Sequence, residues 1–156
     1  MRYTLLLLMN LAIAIPVVAQ ATRTDSARIA STLTELARIC RSVDFKDPKT
    51  QEQGSFYKAA SYIVYRGEDN KRKWKDFANY RDAAERKAVD EVCLRINATI
   101  NRDPAFRITG YQTQKESEGT WHALTVSYTV EGESRSLLFA FLYVKGRYAL
   151  GDIDKP

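Results

Sequence analysis

The sequence predicts an α+β domain in which N-terminal helices pack on a curved four-stranded antiparallel meander, with one short extra strand. Three observations predict it. Apolar residues recur every three or four positions up to residue 100, the signature of amphipathic helices. From Phe106 onward the apolar period drops to two, the signature of strands. The alternating stretches are joined by only a few residues each, and links that short permit only antiparallel hairpins.

The first segment stands apart from this pattern. MRYTLLLLMNLAIAIPVVAQ places Arg2 ahead of an apolar run from Leu5 to Ile15, broken once by Asn10, then Pro16 and small residues. That is the layout of a secretory signal peptide, with small-x-small cleavage frames ending at Ala19 or Ala21. A transmembrane anchor needs roughly 20 apolar residues, and Pro16 falls where a span would continue. The expectation is a removed leader over residues 1–21 and a single domain over residues 22–156. The protein is then secreted or periplasmic, with no transmembrane anchor.

The chain has 156 residues, with 24 Lys and Arg against 19 Asp and Glu, a net charge of +5. Losing the leader removes Arg2 and leaves 23 against 19, a balance too even to point to nucleic acid. Cys40 and Cys93 are the only cysteines. In an oxidising compartment an even pair reads as a disulfide; the rival is a catalytic thiol paired with His122. Bridging residue 40 to residue 93 stabilises a fold by about 4 kcal/mol on the chain-entropy account.

Residues 24–43 carry Ile29, Leu33, Leu36, Ala37 and Cys40 at helical steps, with Thr24, Asp25 or Ser26 able to cap the first turn. Residues 44–55 are polar, with Pro48 and Gly54, and read as a loop. SFYKAASYIVYRG begins as a short helix and ends as a short strand at Tyr62–Tyr65. A helical region is expected from Glu68, broken near Asn79–Asp82, with Asp82 capping a second piece that Pro104 ends. In that piece Ala84, Ala88, Val92, Ile96 and Ile100 recur at steps of four, with Val89 and Cys93 beside them. Cys40 and Cys93 both fall on apolar stripes, as two helices packed side by side and bridged would require.

The strand candidates are FRITGYQTQK, TWHALTVSYTV, RSLLFAFLYV and RYALGDI, separated by turns at Glu116–Gly119, Glu131–Glu133 and Lys145-Gly146. In the second, His122, Leu124, Val126, Tyr128 and Val130 share one face. The third is apolar on both faces, so it belongs inside the sheet with both sides covered.

This order of helix, short helix, short strand, long helix and four-stranded meander ending in RYALGDID resembles the nuclear transport factor two-like superfamily, within the cystatin-like α+β group. The resemblance implies a cone-like fold, a curled sheet around a long helix with a pocket at its open end. It also implies, for catalytic members, a carboxylate base inside that cavity. The region 68–101 is longer than the third helix of that pattern, and the cysteine pair is foreign to it.

Candidate chemistry is sparse. Residues 106–115, 121–130 and 135–144 contain no Asp or Glu, so Asp152 is the one acidic residue inside a strand candidate. No nucleophile elbow, phosphate loop, dinucleotide fingerprint or zinc-protease motif occurs. One His and two paired Cys are too few for a transition-metal site, so neither metal nor cofactor is expected and no residue is assigned a catalytic role. A candidate pocket comprises His122, Tyr128, Phe139, Phe141 and Asp152. A candidate binding surface comprises Tyr62, Tyr65, Arg66, Arg72, Lys73 and Trp74, where cations and rings interleave. A sequon, Asn97-Ala98-Thr99, falls on a helix. The resulting expectation is an exported, non-enzymatic binding or interaction protein for a protein partner or a small apolar ligand. The rivals are a small-molecule pocket protein and an isomerase, dehydratase or hydrolase using His122 or Asp152.

Overall fold

The computed structural model describes residues 17–41 and 55–155. Residues 1–16, most of the expected leader, and the polar stretch 42–54 lie outside them. Helix α1 spans Val17–Arg41, α2 Ser55–Ala60 and α3 Ala83–Ala98, with a 3-10 turn at Ile100–Arg102. Strands β1 (Arg107–Glu116), β2 (Gly119–Val130), β3 (Glu133–Val144) and β4 (Arg147–Asp154) form one antiparallel sheet in that order. The α+β meander read from the sequence is the fold.

Three local differences have physical reasons. Helix α1 starts at Val17 rather than at a cap near Thr24, because Val17–Arg23 contains no helix breaker. The strand at Tyr62–Tyr65 is reduced to two bridges, Ile63 parallel to Leu150 and Val64 antiparallel to Phe77. The helix expected from Glu68 does not form; residues 70–75 are turns. There the Asp69 carboxylate accepts from the Lys71 amide at 2.9 Å, a local bond that competes with helix. Trp74 then adopts φ 62°, a left-handed conformation that ends any right-handed run. Asp82 does cap α3, accepting from the amides of Ala84 and Glu85 at 2.9 and 3.0 Å.

The hairpin turns explain the register. Glu131 and Gly132 have φ of 56° and 82°, and Lys145 and Gly146 have 46° and 90°. Two successive positive φ values make the primed turns whose twist matches that of paired strands. Register then puts Phe141 opposite His122 and Phe139 opposite Leu124, so the apolar alternation of β2 and β3 falls on one face.

That inner face meets the helices. Phe139 and Phe141 are fully buried in one cluster with Ile29, Leu33 and Leu36 of α1 and with Val89, Cys93 and Ile96 of α3. Cys40 and Cys93 form a disulfide across α1 and α3, their Cα atoms 5.1 Å apart. Beside it, the Asn97 amide donates to the Cys40 carbonyl at 2.8 Å and the Asn101 amide to the Ala37 carbonyl at 2.9 Å. These bonds satisfy carbonyls that the end of α1 would otherwise leave unpaired, and they occupy the sequon's own asparagine. On the outer face a smaller cluster joins Val64, Leu142, Val144 and Ala149, with Trp74, Phe77 and Trp121 packed against it. No helix among the described residues is long and apolar enough to cross a membrane.

Candidate functional site

The candidate site lies where the chain leaves the edge of β4. Residues 62–64 hold that edge: the Val64 amide donates to the Leu150 carbonyl and the Leu150 amide to the Tyr62 carbonyl, both at 2.8 Å. Beyond Val64 the chain turns away. A β-carbon on Gly67 would lie 2.3 Å from the Tyr65 hydroxyl, so only glycine lets the loop fold back on that ring. The Tyr65 hydroxyl accepts from the Asp69 amide at 3.2 Å, and the Arg72 guanidinium stacks 4.1 Å from the Tyr65 ring centre. Arg72 also forks onto Glu85 of α3, with bonds of 2.8 and 3.0 Å. This strut fixes the loop to the first turn of α3 while the β4 edge diverges from both.

The wedge left between them is a cleft of about 890 Å³. One wall is the face of α3 bearing Ala84, Ala88 and Val92, and the buried Ile63, Val64 and Leu150 also line the cleft. Ala84 and Ala88 are exposed and Val92 is half-buried, whereas Val89, Cys93 and Ile96 on the other side of the helix are buried. Six carboxylates line the cleft: Glu68, Asp69, Asp82, Glu85, Glu91 and Asp152. Three guanidiniums join them, on Arg66, Arg72 and Arg95. All three are engaged. Arg72 holds Glu85, Arg66 bonds Asp152 at 2.9 Å, and Arg95 donates to the Ile153 carbonyl.

No known protein family, curated protein or solved structure matches this chain. Its chemistry therefore has to be read from its own side chains.

The residues singled out from sequence disperse over three places. Tyr65, Arg66, Arg72 and Asp152 come together at the cleft, with Tyr65 and Arg72 acting as the internal strut. Trp74 and Lys73 sit on the outer face, where the Trp74 ring meets Trp121 edge-on at 5.3 Å and the Arg66 and Lys73 cations lie 5.7 and 5.8 Å from it. Gly151 makes that arrangement possible, since a β-carbon there would fall 2.4 Å from the Trp121 ring. Tyr62 is half-buried under the Arg147 guanidinium.

His122, Tyr128, Phe139 and Phe141 are instead on the inner face, beneath the helices. His122 is 8% exposed, and its Nδ1 lies 2.8 Å from the Tyr111 hydroxyl. The Tyr148 ring crosses it edge-on at 5.0 Å, and Asp25 of α1 faces both tyrosines. Burial pushes the imidazole below its ordinary value and both phenols above theirs. His122 and Asp152 lie on opposite faces of the sheet, because Asp152 pairs with Ala140 while His122 pairs with Phe141. Sequence reasoning missed the α3 wall. The signal is present in the four-residue steps from Ala84, which in the sequence read as one apolar stripe.

Proposed function

We propose that the protein is an exported, disulfide-stapled binding module that holds a small ligand in the cleft beside β4. The observation that carries this reading is the apolar stripe formed by the exposed Ala84 and Ala88 and continued by Val92, which is half-buried against the core. It faces a cleft whose volume lies within the roughly 300–1,000 Å³ of small-molecule sites. Export is supported by the leader-like Met1–Gln20 and by the Cys40–Cys93 bridge, since disulfides persist in oxidising compartments. Binding rather than turnover is supported by the fate of the two candidate acid–base groups. His122 is covered by α1, and Asp152 is held by Arg66 on the other face.

Ala88→Trp tests the reading, because an indole at this exposed helical position fills the cleft without entering the core. Its melting temperature should stay within about 2 °C of the parent, as for surface substitutions in general. Small amphiphiles that shift amide resonances of cleft residues in the parent should fail to do so in the variant. Equal binding by both proteins, or no cleft response to any amphiphile, overturns the reading.

A further inference from the structure

The charges of the cleft run against those of the molecule. The chain as a whole carries a net charge of +5, yet the cleft is lined by six carboxylates against three guanidiniums. Each guanidinium already has a partner within the fold. Glu68, Asp69 and Asp82 have no cation within 4 Å among the described residues, and Glu91 has only Lys87 at 4.0 Å, with both side chains largely in solvent. The surplus negative charge sits on both banks of the groove: Glu68 and Asp69 on the loop, Asp82 and Glu91 along α3. Between them lie Ala84, Ala88 and Val92.

We infer that the ligand of this cleft is an amphiphilic organic cation, its apolar body lying on Ala84, Ala88 and Val92 and its charged head among Glu68, Asp69 and Glu91. The inference rests on the cleft being a binding site. An anion would meet carboxylates on both banks, with two of the three guanidiniums already paired to carboxylates. The chain as a whole is positive, and at the cleft a surplus of carboxylates and apolar contact act together on a cation. An extended peptide fits less well. Addition of a strand to β4 past Leu150 needs free backbone groups, and both of those on Ile153 are taken: its carbonyl by Arg95, and its amide by the Asp152 carboxylate at 2.9 Å. The occupant is therefore a small molecule.

Three probes with one apolar chain isolate the head group: octyltrimethylammonium, octanol and octanoate, each titrated below its aggregation concentration and followed by amide resonances of the cleft. Octyltrimethylammonium should bind about tenfold more tightly than octanol, the sum of a few solvent-screened charge pairs, and more tightly still than octanoate. That advantage should shrink as salt rises from low to physiological strength. The double variant Glu68→Gln, Glu91→Gln should bring octyltrimethylammonium to within about twofold of octanol while leaving octanol unchanged. If octanoate or octanol binds at the cleft as tightly as the cation, the cationic ligand is wrong and the binding cleft stands. If none of the three perturbs the cleft, the binding cleft itself is wrong.

Discussion

The inner face of the sheet and the wall of the cleft are made of similar apolar material and meet opposite fates. Over the inner face, α1 lays Ile29, Leu33 and Leu36 onto Phe139 and Phe141, all with 0% exposure, and even the lone histidine finds a tyrosine partner. Along the cleft, Ala84, Ala88 and Val92 face open volume, and carboxylates outnumber the cations that could neutralise them. The difference teaches that amphipathicity in a sequence marks a surface that wants cover but does not say what covers it. In one place the chain covers itself. In the other it leaves the surface open to the cleft.

The sharpest break of this comparison is removal of bulk on each side. Phe139→Ala empties the middle of the covered face and should destabilise the fold by about 4 kcal/mol. Urea denaturation of the parent and variant measures that loss. A cost below about 1 kcal/mol would mean that the inner face is not the packed core described here.

The outer face is intermediate, and Gly151→Ala probes it. The added methyl collides with the Trp121 ring, so Trp121 and its neighbour Trp74 must move, at an expected cost of about 2 kcal/mol. The same denaturation, read by tryptophan fluorescence, should show a shifted emission maximum in the folded state. An unchanged midpoint and spectrum would contradict the close seat of Trp121 on Gly151.

The smallest expected effect is electrostatic and separates the covered face by pH. Burial holds the His122 imidazole below its ordinary value of 6.5, so in the folded protein it resists the proton that the unfolded chain accepts. Stability from this residue is complete above about pH 6.5. It is lost as pH falls from there through the lowered folded value, with a slope of at most about 1.4 kcal/mol per pH unit. His122→Gln retains a hydrogen-bonding partner for the Tyr111 hydroxyl and removes the titration. The difference in unfolding free energy between parent and variant should therefore fall on acidification from neutral pH. A difference independent of pH between 7 and 5 would show that His122 is not a buried neutral group.

Much of the fold was legible because its signals were local and mutually consistent. Glu131-Gly132 and Lys145-Gly146 specify their turns, and the alternation through β2 and β3 specifies which face is covered. Asp82 announced the start of α3 and bonds two amides there. The site was less legible, and helix geometry says why. A repeat of four residues advances about 40° beyond a full turn at each step, so Ala84 and Ile96 point about 120° apart. A run that looks like one stripe in the sequence therefore supplies a core face at one end and a cleft wall at the other. The aromatic-basic stretch was misleading for a different reason. Neighbouring residues in a loop with a left-handed Trp74 do not share a face, so Tyr65 and Arg72 turn inward while Trp74 and Lys73 pack on the outer surface. The sequence puts His122 and Asp152 in one candidate pocket without the register that relates their strands. Register and the irregularity between Ala140 and Phe141 place them on opposite faces.

The most direct test of the contrast is an amide-resonance titration of the protein with octanol, a neutral probe that senses uncovered apolar surface and ignores charge. The shifts should cluster at Ala84, Ala88, Val92 and Gly151 and spare Leu124, Phe139 and Phe141. Shifts centred on the inner-face residues instead would contradict the account, because they would mean that the chain covers its cleft and leaves its core open.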